Sequence, residues 1–158
     1  MKLLFICTHN RCRSIIAEAV TNAFGGNVLE ARSAGSQPSG EVHPLSIKYL
    51  QQAGISTAGL QSQSWDAHEN WQPDVVITVC DQAAAEQCPV WFGDALTVHW
   101  GLADPSRLQG SEDEVAAAFG NTISILQSRI EKLLSANPLT MDATKLAALL
   151  NQLGDNNG

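Results

Sequence analysis

Hydrophobic positions recur along this chain with two different periods, and the two alternate. Lys2-Leu-Leu-Phe-Ile-Cys7 is a short continuous apolar run, the pattern of a buried strand. Ser14-Ile-Ile-Ala-Glu-Ala-Val-Thr-Asn-Ala-Phe24 then carries its apolar residues at helical spacing. Asn27 to Ser33 reads as a second strand, and the Gly-, Ser- and Pro-rich residues 34–40 as a loop. Pro44 to Ala53 is an amphipathic helix closed by Gly54, and the polar stretch from Ile55 to Trp71 has room for one short helix. Pro73 to Cys80 is apolar almost throughout, as a strand covered on both faces should be. Ala95 to Trp100 is a fourth strand, and Glu112 to Leu134 a long helix with acidic residues in its first turn, where the helix dipole favours them. This alternation predicts an α/β fold: a four-stranded parallel sheet with helices on both faces, without internal repeats.

Beyond the long helix the pattern changes. Asn137-Pro138 breaks it, and Thr140 to Leu153 places Leu146, Leu149, Leu150 and Leu153 on one side of a further helix. The chain is therefore expected to divide into a main domain at 1–136 and a helical extension at 137–158, with a disordered end from Asp155. The extension either packs on the domain or serves self-association.

With 158 residues the chain can bury a substantial single core. Nine basic against sixteen acidic residues give a net charge of −7, which argues against nucleic-acid and anionic-membrane partners. An anionic substrate must then be held by local geometry against the overall field. No apolar run approaches the ~20 residues of a membrane span, and the run at Leu3 to Cys7 is too short for a signal-peptide core, so the expected location is cytoplasmic. In that setting Cys7, Cys12, Cys80 and Cys88 point to catalysis, redox work or metal rather than to structural disulfides.

The densest chemistry lies at Cys7-Thr-His-Asn-Arg-Cys-Arg-Ser14, a thiol followed by five residues, an arginine and a serine, between a strand and a helix. A loop ending on a helix N-terminus offers unpaired amides and the positive end of the dipole to an anion, and Arg13 adds a planar fork that suits two oxygens. Cysteines in such fields have pKa values of roughly 3.5 to 7.5, so Cys7 is expected to be a thiolate near neutrality. The plain alternative is a small core residue at a strand end.

Ligands of parallel sheets bind outside the carboxyl ends of the strands, and both Cys7 and Cys80 end strands. Cys88 lies eight residues past Cys80, across good helix formers. An intact helix would separate the two by about 12 Å of rise, whereas a disulfide needs Cα atoms roughly 4.4 to 6.8 Å apart. If they pair, the helix between them must unwind and loop out; otherwise both are small buried residues. Asp104-Pro105 follows the fourth strand at the same edge, where Asp104 can protonate a departing oxygen or merely mark a turn. His9 suits an orienting role in the loop, while His43, His68 and His99 cap, pack or face solvent. Trp91 and Trp100 read as core rather than as walls of the site. Cys12 is either a packed loop residue or a partner for a protective disulfide with Cys7.

These residues together resemble the low-molecular-weight protein tyrosine phosphatase superfamily: the loop from Cys7 to Ser14 followed by Ala17-Glu18, the segment Arg32-Ser-Ala-Gly35, and Asp104-Pro105. Within it, Val79-Cys-Asp-Gln-Ala-Ala-Ala-Glu-Gln-Cys-Pro89 and His99-Trp-Gly101 are similar to the arsenate reductases of the thioredoxin-coupled type. The resemblance covers about residues 2 to 134. It implies Cys7 as nucleophile, with Arg13 and the loop amides of Thr8, His9, Asn10, Arg11 and Cys12 as oxyanion cradle. It further implies Ser14 as support for the thiolate, Asp104 as general acid, and Cys80 and Cys88 as resolving pair. It implies arsenate as substrate, with phosphate or sulfate as mimics, and thioredoxin or glutathione with glutaredoxin as reductant. No tightly bound cofactor is implied, but a potassium ion beside the loop is, at Asn10, Glu18 and Ser33. The pattern departs around Ser64-Trp-Asp66, and the Cys80–Cys88 spacing is one residue longer than in some members.

Three thiols distinguish the readings. Arsenate mimics phosphate, but its conversion to arsenite takes two electrons, which a phosphatase does not supply. Arsenate reduction through Cys7, Cys80 and Cys88 uses all three. A tyrosine phosphatase working with Cys7, Arg13 and Asp104 leaves two idle, and a non-catalytic arsenite-binding or redox-sensing module needs no turnover.

Overall fold

The computed structural model describes residues 1–85, 93 and 95–155. Four strands, β1 (Lys2–Ile6), β2 (Glu30–Ala34), β3 (Val75–Thr78) and β4 (Leu96–His99), form one parallel sheet in the order β2-β1-β3-β4. Between and after them run α1 (Arg13–Phe24), α2 (Pro44–Gln52), α3 (Asp81–Ala85), α4 (Glu112–Ser135) and α5 (Ala143–Asp155). Short 3₁₀ turns occur at Trp65–Trp71, Pro105–Arg107 and Pro138–Thr140. Leu3, Leu4, Phe5 and Ile6 are all buried, as are Val75, Val76, Ile77 and Thr78. Successive residues of a strand point to opposite faces, so both faces of the two central strands are covered, as their unbroken apolar runs require.

The sense in which successive strands are added to the sheet reverses between β1 and β3. β1 is flanked by β2 on one side and by β3 on the other, the place where parallel α/β sheets open a ligand crevice. Ile6 pairs with Thr78, so the segments leaving the two central strands start side by side.

Two sequence boundaries shift. The second strand starts at Glu30 rather than Asn27, because Gly25 caps α1, Gly26 adopts a left-handed φ of 58°, and Leu29 N–H donates back to Gly25 O at 3.3 Å. Residues 27–29 complete that turn, and pairing begins only where Lys2 meets Glu30. The last helix starts at Ala143 rather than Thr140. Asp142 supplies the start signal, its Oδ1 accepting from Lys145 N–H at 2.8 Å. Asp155 belongs to α5, which corrects the expectation of disorder from that residue. Residues 156–158 lie outside the described set, as do Cys88 and Trp91.

α5 packs on the sheet edge. Leu146, Leu150 and Leu153 are buried in the same core as the strands, and Leu149 lies against it. The fully buried Trp100 lies at a tilt against Phe5 and donates from Nε1 to Leu150 O at 2.9 Å, so it is core as expected. At Gly154 a Cβ would stand 2.6 Å from His99 O, which shows how closely α5 approaches the end of β4. Among the described residues no helix is long and apolar enough to cross a membrane.

Candidate active site

The loop between β1 and α1 is held from outside by its carbonyls. Thr8 O accepts from Gln37 N–H at 2.9 Å, His9 O from Ser39 N–H at 3.0 Å and Ser62 Oγ at 3.2 Å, and Arg11 O from His43 N–H at 2.9 Å. Cys12 O accepts the first intrahelical bond, from Ile16 N–H at 2.9 Å. By contrast, the amides of Asn10, Arg11, Cys12 and Arg13 have no hydrogen-bond partner among the described residues. A run of donors with its acceptors turned away, ending on a helix start, is an anion cradle. Arg13 Nε adds a buried donor that is likewise unpartnered among the described residues. Gly35 lets the loop sit this close to β2: a Cβ there would lie 2.4 Å from Thr8 O and 2.6 Å from Cys7 O.

Asn10 organises the loop from within. It adopts a left-handed φ of 46°, which Asn tolerates better than most residues. Its Nδ2 donates to Ser14 Oγ at 2.8 Å and to Ser33 Oγ at 3.0 Å, and its Oδ1 accepts from Gln63 N–H at 2.9 Å. Ser14 Oγ thus has its own proton left to give. Ser33 Oγ donates to Glu18 Oε1 at 2.6 Å, and burial pushes the Glu18 carboxyl up against the opposing pull of those Ser33 hydrogen bonds. Asn10, Glu18 and Ser33 therefore form one connected oxygen-rich cluster. His9 turns its ring to Gln37 O, 3.1 Å away, which is an orienting contact.

Arg13 and Asp104 come together although 91 positions separate them in the sequence. Arg13 Nη1 donates to Leu102 O at 3.0 Å, and Nη2 lies 3.6 Å from Asp104 Oδ2. Asp104 Oδ1 accepts from Ser106 N–H at 3.0 Å and Ser106 Oγ at 2.6 Å, and its Oδ2 faces Arg107 Nε at 3.4 Å. Every one of these neighbours is a donor, so the carboxylate is aimed by its own turn. A cleft of ≈ 440 Å³ between residues 101–105 and α4 includes Asp104 but not Cys7, and so flanks the site.

Cys7 and Cys80, both buried, hydrogen-bond to each other. Cys80 therefore competes for the negative charge that the sequence places on Cys7 alone. The hydrogen bond to Cys80, followed by burial, raises the Cys7 thiol well above its ordinary range, and the nearby Arg13 does not compensate. The same hydrogen bond lowers Cys80 to about 5 against the cost of burial. Cys80 accepts from Ala83 N–H at 3.4 Å and lies 3.8 Å from the Thr8 hydroxyl, while Cys7 has the His9 amide. The two thiols ionise as a coupled pair, and these contacts favour negative charge at Cys80. Thr8 thus contributes its hydroxyl, directly after the thiol, as well as its backbone. Cys12 is buried and pushed up to about 11 by that burial, the behaviour of a packed loop residue. His43 caps α2, with Nδ1 accepting from Leu45 N–H at 3.1 Å, and the buried His68 meets Ser33 O at 3.0 Å. His99 alone of the three lies near a candidate thiol, its Nε2 3.0 Å from Asp81 Oδ1. Among the described residues no cluster of three or more His, Cys, Asp or Glu could hold a metal ion.

A strand-borne thiol, an amide-lined loop and an arginine at a helix start define a class. The chain belongs to the low-molecular-weight phosphotyrosine protein phosphatase family, whose sequence profile matches residues 2–147. Within this class it is similar to arsenate reductases. It is 32% identical to the arsenate reductase of Halalkalibacterium halodurans over 129 residues, 82% of this chain and 91% of that protein. A solved arsenate reductase in the phosphate-binding state matches with a TM-score of 0.66 at 27% identity, over 83% of this chain and 97% of that one. The thioredoxin-dependent arsenate reductase of Corynebacterium glutamicum also matches with a TM-score of 0.66 at 27% identity, over 89% of this chain and 63% of that one.

Proposed function

We propose that this protein is an enzyme that reduces arsenate to arsenite by a thiol relay. The observation that carries the reading is the placement of two buried thiols, Cys7 and Cys80, at the ends of neighbouring strands beside an anion cradle. Arsenate binds to the loop amides from Thr8 to Arg13 and to the Arg13 guanidinium. As the proton passes from Cys7 to Cys80, Cys7 becomes the nucleophile and attacks arsenic, and Asp104 gives a proton to the departing hydroxide, which leaves as water. Ser14 donates to the Cys7 sulfur. Cys80 then releases its proton to solvent, its thiolate supported by Ala83 N–H and the Thr8 hydroxyl, and attacks the Cys7 sulfur. The sulfur–sulfur bond forms, the sulfur–arsenic bond breaks, and its electron pair stays on arsenic as arsenite. Two thiols are thereby oxidised for one arsenic reduced.

Cys88 completes the relay by attacking Cys80 and moving the disulfide outward, where thioredoxin, present in the name of a similar protein, reduces it. Glutathione with glutaredoxin is the competing reductant. The relay requires a reducing compartment, which is why cytoplasmic action is proposed.

A potassium ion is proposed at Asn10, Glu18 and Ser33. Two hard oxygen ligands suited to an alkali cation already meet there, the Glu18 carboxylate and the Ser33 hydroxyl, whereas Asn10 presents its Nδ2 to Ser33 and keeps its Oδ1 for Gln63 N–H, so its amide would have to turn over to serve as a third. Such an ion would supply positive charge near Asn10 and steady the loop.

The test is arsenate-dependent NADPH oxidation with thioredoxin and its reductase, and separately with glutathione and glutaredoxin. Wild type should turn over with one system, and Cys7→Ser, Cys80→Ser and Cys88→Ser should not. Turnover surviving Cys80→Ser would sink the relay. Aryl phosphate hydrolysis indifferent to both Cys80→Ser and Cys88→Ser, without arsenate turnover, would assign a phosphatase instead.

A further inference from the structure

We propose that His99 and Asp81 act as a latch that positions Cys80 for its attack on Cys7; this rests on the relay reading above. Cys80 occupies the junction between β3 and α3, and the paired ionisation described above depends on the first turn of α3 bringing Ala83 N–H to within 3.4 Å of its sulfur. Ala83 is buried in the core beside β3 and holds the inner side of that turn. Asp81 opens α3 with a fully solvent-facing side chain, yet its Oδ1 is 3.0 Å from His99 Nε2. The other ring nitrogen, Nδ1, is 2.8 Å from Thr78 Oγ1. One imidazole from the neighbouring strand thus grips the chain on both sides of Cys80, two residues before it and one residue after.

Hydrogen-bond bookkeeping sets the tautomer. A carboxylate oxygen can only accept, so Nε2 carries a proton, and the neutral ring accepts from the Thr78 hydroxyl at Nδ1. When Nδ1 is protonated too, the Thr78 hydroxyl has Val98 O at 3.4 Å to donate to instead. The grip on Asp81 persists in both states. Position 101 must stay small for the ring to lie there: a Cβ on Gly101 would stand 3.0 Å from His99 Nε2 and 3.8 Å from Asp81 Oδ1.

Exposed pairs of this kind contribute little to global stability. Their loss should therefore move the start of α3 without unfolding the sheet or disturbing the cradle, which is held by residues 34–46 and 62–63. His99 and Asp81 touch neither the oxyanion nor a sulfur, so both are positioning residues.

The experiment uses the full chain carrying Cys88→Ser, so that the relay stops at the Cys7–Cys80 disulfide. Reduced protein is mixed with arsenate, quenched over time, and the linked peptides are quantified by mass spectrometry; phosphate affinity is measured in parallel. Asp81→Ala and His99→Ala should slow disulfide formation by between about tenfold and a hundredfold, the scale of a small misplacement of a reacting group, with phosphate affinity unchanged. Asp81→Asn, which keeps an oxygen for Nε2–H, should retain most of the rate. Disulfide formation at the parent rate in both alanine variants would overturn the latch, and so would a parallel loss of phosphate affinity. A parent that forms no Cys7–Cys80 disulfide with arsenate would overturn the relay itself, and the latch with it.

Discussion

Cys7 and Cys80 leave the two central strands side by side, and each is the chief influence on the other's ionisation. Removing either partner should shift the other in a predictable direction. In Cys80→Ala the main cause of the raised Cys7 pKa is gone, so the Cys7 ionisation should move down. In Cys7→Ala the hydrogen bond that lowers Cys80 is gone, so Cys80 should ionise above about 5. Thiolate absorbance followed against pH checks both, and unchanged titrations in the two variants would contradict the partnership.

Asp104 is aimed at Arg13 by its own turn, 3.6 Å from the guanidinium. As the proton donor to the leaving oxygen it should be needed for turnover more than for binding. Asp104→Asn is expected to lower kcat by about 10² to 10⁴, the range for general acid catalysis, with a smaller change in phosphate affinity. Steady-state kinetics and equilibrium phosphate binding separate the two quantities.

Gly35 is required by space. A methyl group there would press on two backbone carbonyls, Thr8 O and Cys7 O, neither of which can rotate away. Gly35→Ala should destabilise the protein by about 1–3 kcal/mol, typical of overpacking, and weaken phosphate binding because the cradle itself is displaced. Chemical denaturation and calorimetric binding on the same sample check both effects.

Glu18 is an acid whose pKa is raised in the folded state, chiefly by burial. Its contribution to stability is fully present below its unfolded pKa of about 4.3 and is lost as pH rises through the folded value. Relative to wild type, Glu18→Gln should therefore gain in melting temperature between pH 4 and neutrality in sodium or choline salts. Potassium should raise the wild-type melting temperature and leave that of Glu18→Gln unmoved.

Leu150 anchors α5: its side chain is fully buried and its carbonyl accepts from Trp100 Nε1. Leu150→Ala should cost about 2–5 kcal/mol by urea denaturation, the range for large-to-small core changes. Phosphate affinity should hold wherever the variant remains folded, since the cradle is tied to residues 34–46 and 62–63 rather than to α5.

Short-range signals were enough for the architecture. The apolar runs at Lys2 to Cys7 and Pro73 to Cys80, and the helical spacing after Ser14 and Glu112, arise from side chains a few residues apart and therefore survive in the sequence as periodicity. The boundaries that moved, at Glu30 and Ala143, were decided by a Gly-Gly turn and by an aspartate cap, local features weaker than the hydrophobic pattern around them.

The loop from Cys7 to Ser14 could be read as an anion cradle because its parts are contiguous: a strand end, a thiol, amides and an arginine at a helix start. The linear order also put Cys7 and Cys80 at one edge of a parallel sheet. It could not say that β1 and β3 would be neighbours, and hence that two thiols 73 positions apart would touch. Nor could it show that the two thiols ionise as a pair. That depends on Ala83 N–H and the Thr8 hydroxyl converging on Cys80, just as the aim of Arg13 depends on Leu102 and Asp104. Hydrogen bonds between distant segments form only once the chain has folded, and an ionisation shared across such a contact belongs to the pair rather than to either residue.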